Sequence, residues 1–295
     1  MTDSDRLLGF LIPARSARGR VVRLGPALEA ILSAHAYAET PARLLAQALA
    51  LAALMGAILR PDEGQVTIQA QPAAGREGPI RLLVADYLAG ALRGYVAVDP
   101  DRRLAEGDSL AQIFGGGHLV ITLDQSVSAE RYQGIVALEG ESLAAAAQGY
   151  FANSEQVPTL VRLAAGRGPD GAMRAGGFIV QHLARAEAGG ARLGLDPDLD
   201  HPDWAHVAAL AATLSDAELI DPALPLETLL WRLFHEEEVR LLDPIALARG
   251  CRCSEAYIRS VLLRFPEAER AHMRGADGRI SVDCEFCSRR FLFEV

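Results

Sequence analysis

The sequence predicts an α+β protein in three parts: an N-terminal α/β core, a helical stretch, and a small cysteine-bearing end. Three observations carry that reading. Short β-rich runs follow one another through the first half of the chain with helical stretches grouped around them; a segment broken by proline and glycine then concentrates negative charge; and all four cysteines lie beyond residue 250. Strands in succession, with helices beside them, favour a largely antiparallel sheet over a strictly alternating parallel one. With 295 residues, half of them apolar and 23% charged, the chain is long enough for about two domains and a sizeable core.

Taken in order, the β-rich runs are "RVVRL" (Arg20 to Leu24), "QVTIQAQ", "PIRLLVADY", "RGYVAV", "HLVITLD" and "YQGIVALEG", separated by turn signals such as "DEG" and "FGGG". Two helices are expected early, Pro26 to Ala38 and Pro41 to Leu59, each opening on a proline whose missing N–H is harmless there. A third is expected from Ser142 to Asn153. The triplet in "FGGGHLVI" leads into a strand rather than a helix N-terminus, so it reads as a tight turn and not as a phosphate cradle.

Charge divides the chain. Residues 1–185 carry 17 arginines against 18 acids, residues 186–227 carry 1 against 9, and residues 228–295 carry 11 against 11, so nearly all of the net −9 sits in the middle segment. Its prolines and glycines break it into short helices. "HPDWAHVAALAATL" places Trp204, Val207, Leu210 and Leu214 near helical spacing, with Asp203 in the first turn where an acid suits the helix dipole. "PLETLLWRLFHEEEV" is the stronger helix, with an apolar face of Leu226, Leu229, Leu230, Leu233 and Phe234 that needs a partner. The metal-binding end, less than twenty residues on, is the nearest candidate for that partner, and the acids of "FHEEE" read as a solvated helix face.

Several function classes drop out. All 29 basic residues are arginine, which excludes Schiff-base, P-loop and kinase-type lysines. No G-x-S-x-G elbow occurs, and none of the seven histidines belongs to an H-E-x-x-H motif, so nothing points to an enzyme. The first residues are acidic where a signal peptide is basic, and the apolar piece Leu7 to Ile12 is short, so the expected location is the cytoplasm. The most apolar run, Leu44 to Leu59, is shorter than a membrane span and contains Gln47, which makes it a buried helix.

The cysteines carry the chemistry. Cys251 and Cys253 form a C-x-C pair, and Cys284 and Cys287 form a C-x-x-C pair thirty residues later. Two thiolate pairs on tight turns can supply all four ligands of a tetrahedral zinc ion and leave no coordination position open. Structural disulfides do not suit a reducing compartment. A thioredoxin-like site would put C-x-x-C at a helix start, whereas here it opens into the alternating strand "SRRFLF". A nucleic-acid zinc ribbon would want a basic surface, but residues 251–295 hold 8 arginines against 7 acids. The spacing alone therefore gives a closed zinc site of undetermined purpose, and it leaves open a zinc-containing interaction or nucleic-acid protein.

The pairs in "GCRCS" and "CEFCSRRF", together with "LLWRLFHEEEVR" (Leu229 to Arg240), "YFANSEQVPT" (Tyr150 to Thr159), "GGFIVQHL" (Gly176 to Leu183) and "GGGHLVITLD" (Gly115 to Asp124), spread over most of the chain. In these stretches the sequence resembles the redox-regulated molecular chaperones of the heat shock protein 33 family. The resemblance implies a sandwich-like substrate-binding α/β core domain over 1–185, a helical acidic linker over 186–240, and a zinc-binding redox-sensor domain over 241–295. It places one Zn2+ per chain on Cys251, Cys253, Cys284 and Cys287 in the reduced state. It further implies that oxidation pairs Cys251 with Cys253 and Cys284 with Cys287, releases zinc and unfolds the linker. The chain would then hold unfolding client proteins, with a homodimer as the active form and no membrane or nucleic-acid partner. Residues 190–203 depart from the family pattern in their richness in Asp, Pro and Gly. The physics agrees with such a switch. A metal stapling two distant turns contributes heavily to folding, whereas disulfides between near neighbours close tiny loops that restrain little of the chain.

Overall fold

The most apolar run of the sequence becomes the axis of the molecule. The computed structural model describes residues 4–59, 64–105, 107–125, 131–138, 140–183 and 201–294. The first elements are β1 (Arg6–Ile12), β2 (Ala17–Leu24), α1 (Pro26–Leu32), α2 (Glu39–Gly56), β3 (Gly64–Gln71), β4 (Ile80–Leu88), β5 (Ala91–Val98) and α3 (Leu110–Ile113). Then come β6 (His118–Gln125), β7 (Arg131–Ala137), α4 (Leu143–Tyr150), β8 (Thr159–Arg167) and β9 (Met173–His182). The acidic segment supplies α5 (Pro202–Ala212), α6 (Asp216–Ile220) and α7 (Leu226–Phe234). Short strands β10 (Arg240–Leu241), β11 (Ile245–Ala246) and β12 (Ala248–Arg249) lead to α8 (Glu255–Leu262), α9 (Glu267–Met273), β13 (Ile280–Asp283) and β14 (Arg290–Phe293).

Two six-stranded sheets flank α2. The first has the order β10-β1-β2-β9-β8, with β11 also on β1; the second runs β12-β5-β4-β3-β6-β7. Helix α2 packs on β2, β8 and β9 to one side and on β3, β4 and β5 to the other. That accounts for its being apolar all round, with every residue from Ala48 to Gly56 buried. The two adjacent glycines of "GGFIVQHL" serve opposite faces of β9. A Cβ on Gly177 would meet Leu54 Cδ1 at 2.8 Å, while one on Gly176 would meet the Leu219 carbonyl oxygen at 2.4 Å, so the sheet admits α2 on its inside and α6 on its outside only because both are glycine.

Helices α5, α6 and α7 cover the outer face of the first sheet. Trp204, Val207, Ala211, Leu214 and Leu219 join Leu226, Leu229, Leu230, Leu233 and Phe234 against Leu8, Phe10, Ile12, Val21, Phe178 and Val180. Phe10 sits between Phe178 and Phe234, at ring-centroid distances of 5.8 and 5.7 Å. Burial of each such large side chain stabilises the arrangement by about 1.5–3 kcal/mol. Arg23 of β2 is fully buried beneath these helices and donates to the carbonyls of Leu219 (3.1 Å), Leu224 (2.6 Å) and Glu218 (3.1 Å).

After α7 the chain becomes a strap. β10 and β11 pair antiparallel with β1 at Phe10↔Leu241 and Leu7↔Ile245, and β12 then crosses to the second sheet and pairs parallel with β5 at Arg249↔Leu92. The strap thus edges both sheets before delivering the chain to the compact end module, whose own core is only Leu262, Ile280, Phe291 and Phe293.

Several expectations need correction. The apolar face of α7 lies on β1, β2 and β9 rather than on the cysteine module, because the first sheet offers a broad apolar face. That helix also ends at Phe234, and Glu237 is not solvated: its side chain is 7% exposed and accepts from Arg15 Nε (3.0 Å) while contacting His206 Nε2 (2.8 Å). Helix α1 stops at Leu32, short of Ala38, where the ring of His35 stacks on Tyr37 and the Tyr37 hydroxyl accepts from Val96 N (2.9 Å), a tertiary contact that outweighs local propensity. Helix α2 begins at Glu39, ahead of Pro41. The expected Ser142 to Asn153 helix is capped by Ser142 and widens into a π-turn at Phe151–Glu155. Strands β1, β8 and β9 have no counterpart among the expected strands, and the Asp/Pro/Gly-rich beginning of the acidic segment lies outside the described residues up to residue 200.

Candidate metal centre

The four cysteines come from two turns that the local sequence builds independently. Cys251 and Cys253 follow the strap, where Gly250 N donates to the Leu92 carbonyl (2.8 Å), and precede α8, whose N-cap Ser254 accepts from Tyr257 N. Cys284 and Cys287 occupy the tight turn joining β13 to β14. There the N–H groups of Cys287 (3.2 Å) and Ser288 (2.8 Å) both donate to the Cys284 carbonyl, and Ser288 closes the turn in the left-handed region with φ of 55°.

Chain reversal brings all four thiols to one point. Their Sγ atoms lie within 4.8 Å of one another, with Cys251 to Cys253 at 3.3 Å, Cys253 to Cys287 at 3.5 Å and Cys251 to Cys284 at 3.6 Å. None is in a disulfide. Four sulfurs about 2.3 Å from a tetrahedral centre stand about 3.8 Å apart, so the cluster has the size that a soft divalent metal requires. Its electrostatics ask for a cation as well. Burial raises the Cys251 thiol, but the Cys253 amide and the neighbouring thiols outweigh it and bring it down to about 7, whereas burial and those same neighbours push Cys253 up. One thiolate is comfortable there; four need a positive charge among them. Among the described residues no other group of His, Cys, Asp or Glu is placed to hold a metal ion.

The residues inside the two pairs reach away from the cluster to the outer face of the second sheet. Arg252 donates to Asp86 Oδ2 (2.7 Å) and Gln65 Oε1 (2.7 Å). Asp86 also accepts from Arg93 Nε (2.8 Å) and from the Thr67 hydroxyl (2.7 Å), and its side chain is 4% exposed. The ring of Phe286 meets Tyr95 edge-on at 5.1 Å, with the Arg93 guanidinium 3.9 Å from its centroid. Sequence reasoning missed this contact. Its only local signal is that a large side chain fills a variable position of each cysteine pair.

A family model described as Hsp33 protein matches residues 5–294. A 33 kDa chaperonin of Caulobacter vibrioides is 44% identical over 299 residues, covering 98% of this chain and 95% of the relative. One of Photorhabdus laumondii subsp. laumondii is 35% identical, covering 100% of this chain and 95% of the relative. The crystal structure of a 33 kDa chaperonin from Thermotoga maritima is similar with a TM-score of 0.80 at 25% identity, over 98% of this chain and 94% of that one.

Proposed function

This chain belongs to the Hsp33 family, and from that premise we propose that Cys251, Cys253, Cys284 and Cys287 hold one Zn2+ in the reduced protein and act together as its redox sensor. The protein is a redox-regulated chaperone, and its four clustered cysteines are placed to hold a metal ion. The single observation that carries the site assignment is the convergence of four thiols from two turns on one point, with separations matching a tetrahedral sulfur site. Zinc would supply the positive charge that keeps all four sulfurs ionised and would staple the two turns together.

Oxidation dismantles the donor set. With hydrogen peroxide as oxidant, the thiolates of Cys251 and Cys253, and those of Cys284 and Cys287, each lose two electrons as a pair and form an S–S bond. Two peroxide molecules accept the four electrons with four protons and leave as four waters. Disulfide sulfurs are poor ligands, so Cys251, Cys253, Cys284 and Cys287 would no longer hold a cation, and the module, with four buried apolar side chains for a core, would not stay folded. The strap then loses its anchor on β5, and α5–α7, still seated on the first sheet, come away on heating to uncover Phe10, Val21 and Phe178 for unfolding clients.

The three-part division at 185 and 240 is retained on this reading, with the strap as the opening of the third part. A homodimer of the activated form and residence in the reducing cytoplasm go with it. No described helix is long and apolar enough to cross a membrane. Arg252, Arg259, Arg270, Arg274, Arg279 and Arg290 of the module all pair with carboxylates, which speaks against a nucleic-acid surface. Metal analysis paired with a thiol count tests the proposal. One zinc and four free thiols per reduced chain are expected, falling to no zinc and no free thiols as suppression of client aggregation rises after peroxide; aggregation suppression that is unchanged by full oxidation would overturn it.

A further inference from the structure

We propose that Arg252 and Phe286, the residues enclosed by the two cysteine pairs, are a latch that docks the metal module on the outer face of the second sheet, with Asp86, Arg93 and Tyr95 as its keeper. The inference rests on the redox reading above and goes beyond it: the sensor is held to the core domain by the very residues whose backbone oxidation rearranges.

The register of the sheet builds the keeper. Thr67, Asp86 and Arg93 stand opposite one another on β3, β4 and β5, and Tyr95 is two residues beyond Arg93 on the same face. All project away from α2, since the intervening Val66, Ile68, Ala85 and Leu92 belong to the core between the sheets. Asp86 is nearly buried there and lies between two guanidiniums, Arg93 from its own sheet and Arg252 from the module. A carboxylate so placed is well served only while both are present, because removing one partner leaves a desolvated charge with fewer donors. Phe286 adds a ring that the Arg93 guanidinium covers and Tyr95 abuts. The occupant is this chain's own module, seated on the face it fits.

Pairing Cys251 with Cys253 must bring sulfurs now 3.3 Å apart to about 2.05 Å, in a small ring that includes the backbone of Arg252. Pairing Cys284 with Cys287 likewise closes a ring that includes the backbone of Phe286. Both latch side chains are thereby re-aimed in the oxidation step itself, before any part of the module has to unfold. The latch in turn resists oxidation, since forming either ring breaks contacts to Asp86 or Tyr95.

The test uses the full-length chain as wild type, Arg252→Gln, Asp86→Asn and the double variant. Carbene footprinting of Tyr95 in the reduced proteins reads docking directly, and zinc release is followed with peroxide and, in parallel, with a strong chelator. Footprinting should find Tyr95 protected in the wild type and labelled in Arg252→Gln, and both single variants should release zinc about tenfold faster, the scale of losing one charge-assisted hydrogen bond. The double variant should be no faster than either. Additive effects, or an Asp86→Asn chain that releases zinc at the wild-type rate, would show Arg252 acting only on its neighbouring sulfurs and would overturn the latch. Should Asp86→Asn fail to fold, Phe286→Ala takes its place with the same expectation for Tyr95. Failure of the redox reading looks different: wild-type zinc then ignores peroxide, while footprinting and chelator release still judge the latch.

Discussion

The two outer faces of the sandwich are covered in opposite ways. On the first sheet, three helices bury a continuous apolar surface centred on Phe10, Phe178 and Phe234. On the second, the cysteine module is joined to the sheet through a carboxylate between two guanidiniums and an edge-on pair of rings, one partner of each pair being its own. Apolar cover is spread over many side chains and yields only when whole helices leave. A polar dock depends on a few atoms and yields when one of them turns. The covered apolar surface and the four-cysteine cluster therefore lie back to back, and the strap from Arg240 to Arg249 is the covalent path between them.

The sharpest way to break this comparison is to spoil the apolar cover while leaving the sensor untouched. Leu230→Asp places a charge in a site that is 1% exposed and should destabilise the docked helices by about 3–5 kcal/mol. The reduced variant should suppress client aggregation without oxidant and keep its zinc; a variant that stays inactive while hydrogen exchange over 202–234 rises would show that the first sheet is not the client surface.

Metal removal comes next in size. A strong chelator under reducing conditions should raise hydrogen exchange throughout 251–294, because the four-residue core there is too small to stand alone. The amides of Leu226–Phe234 should stay protected at 25 °C and give way only on heating, since their helix leans on the first sheet. Simultaneous loss in both regions would mean that the module supports the helices directly.

Arg23→Met is a smaller perturbation from below. It removes donors from the carbonyls of Glu218, Leu219 and Leu224 and should weaken the seat of α6 by about 1–3 kcal/mol. Faster exchange confined to Asp216–Ile220 is the expected signature, and uniform loss across the sandwich would assign Arg23 to the core instead.

The smallest effect is a pH dependence. The Arg15 guanidinium, with help from His206, holds the Glu237 carboxyl below its ordinary 4.5. A depressed carboxylate contributes stability that is present above the unfolded value and lost as pH falls through the folded one. Exchange in 202–234 should thus quicken below about pH 4.5 in the wild type, and Glu237→Gln should flatten that step.

The convergence of the four cysteines was legible in the sequence because its logic is local: two pairs at short spacing, each on its own turn. The buried helix was legible because a helix that is apolar all round must be covered on every side. Strand β9 was not, since "GGFIVQHL" opens with residues that disfavour strands, and its glycines make sense only once a helix lies on each side. Glu237 looked like one of several surface acids because its partner Arg15 is 222 residues away, and the Arg252 contact with Asp86 spans 166. Pairings of that range have no periodicity to betray them.

The strand order has a consequence for how the chain is made. The second sheet has all but its last, two-residue strand once residue 137 has emerged, whereas β2 must wait for β9, pairing Ala17 with His182. Vectorial synthesis at about 5–20 residues per second leaves an interval of about 2–9 s in which α2 has a sheet on one flank and only the β1–β2 hairpin on the other. The side that awaits β9 carries Ala50 and Leu54. A protein whose task is to shield the apolar surfaces of others thus passes through its own vulnerable stage on the ribosome, and the sequence separation of β2 from β9, together with the rate of synthesis, sets its length.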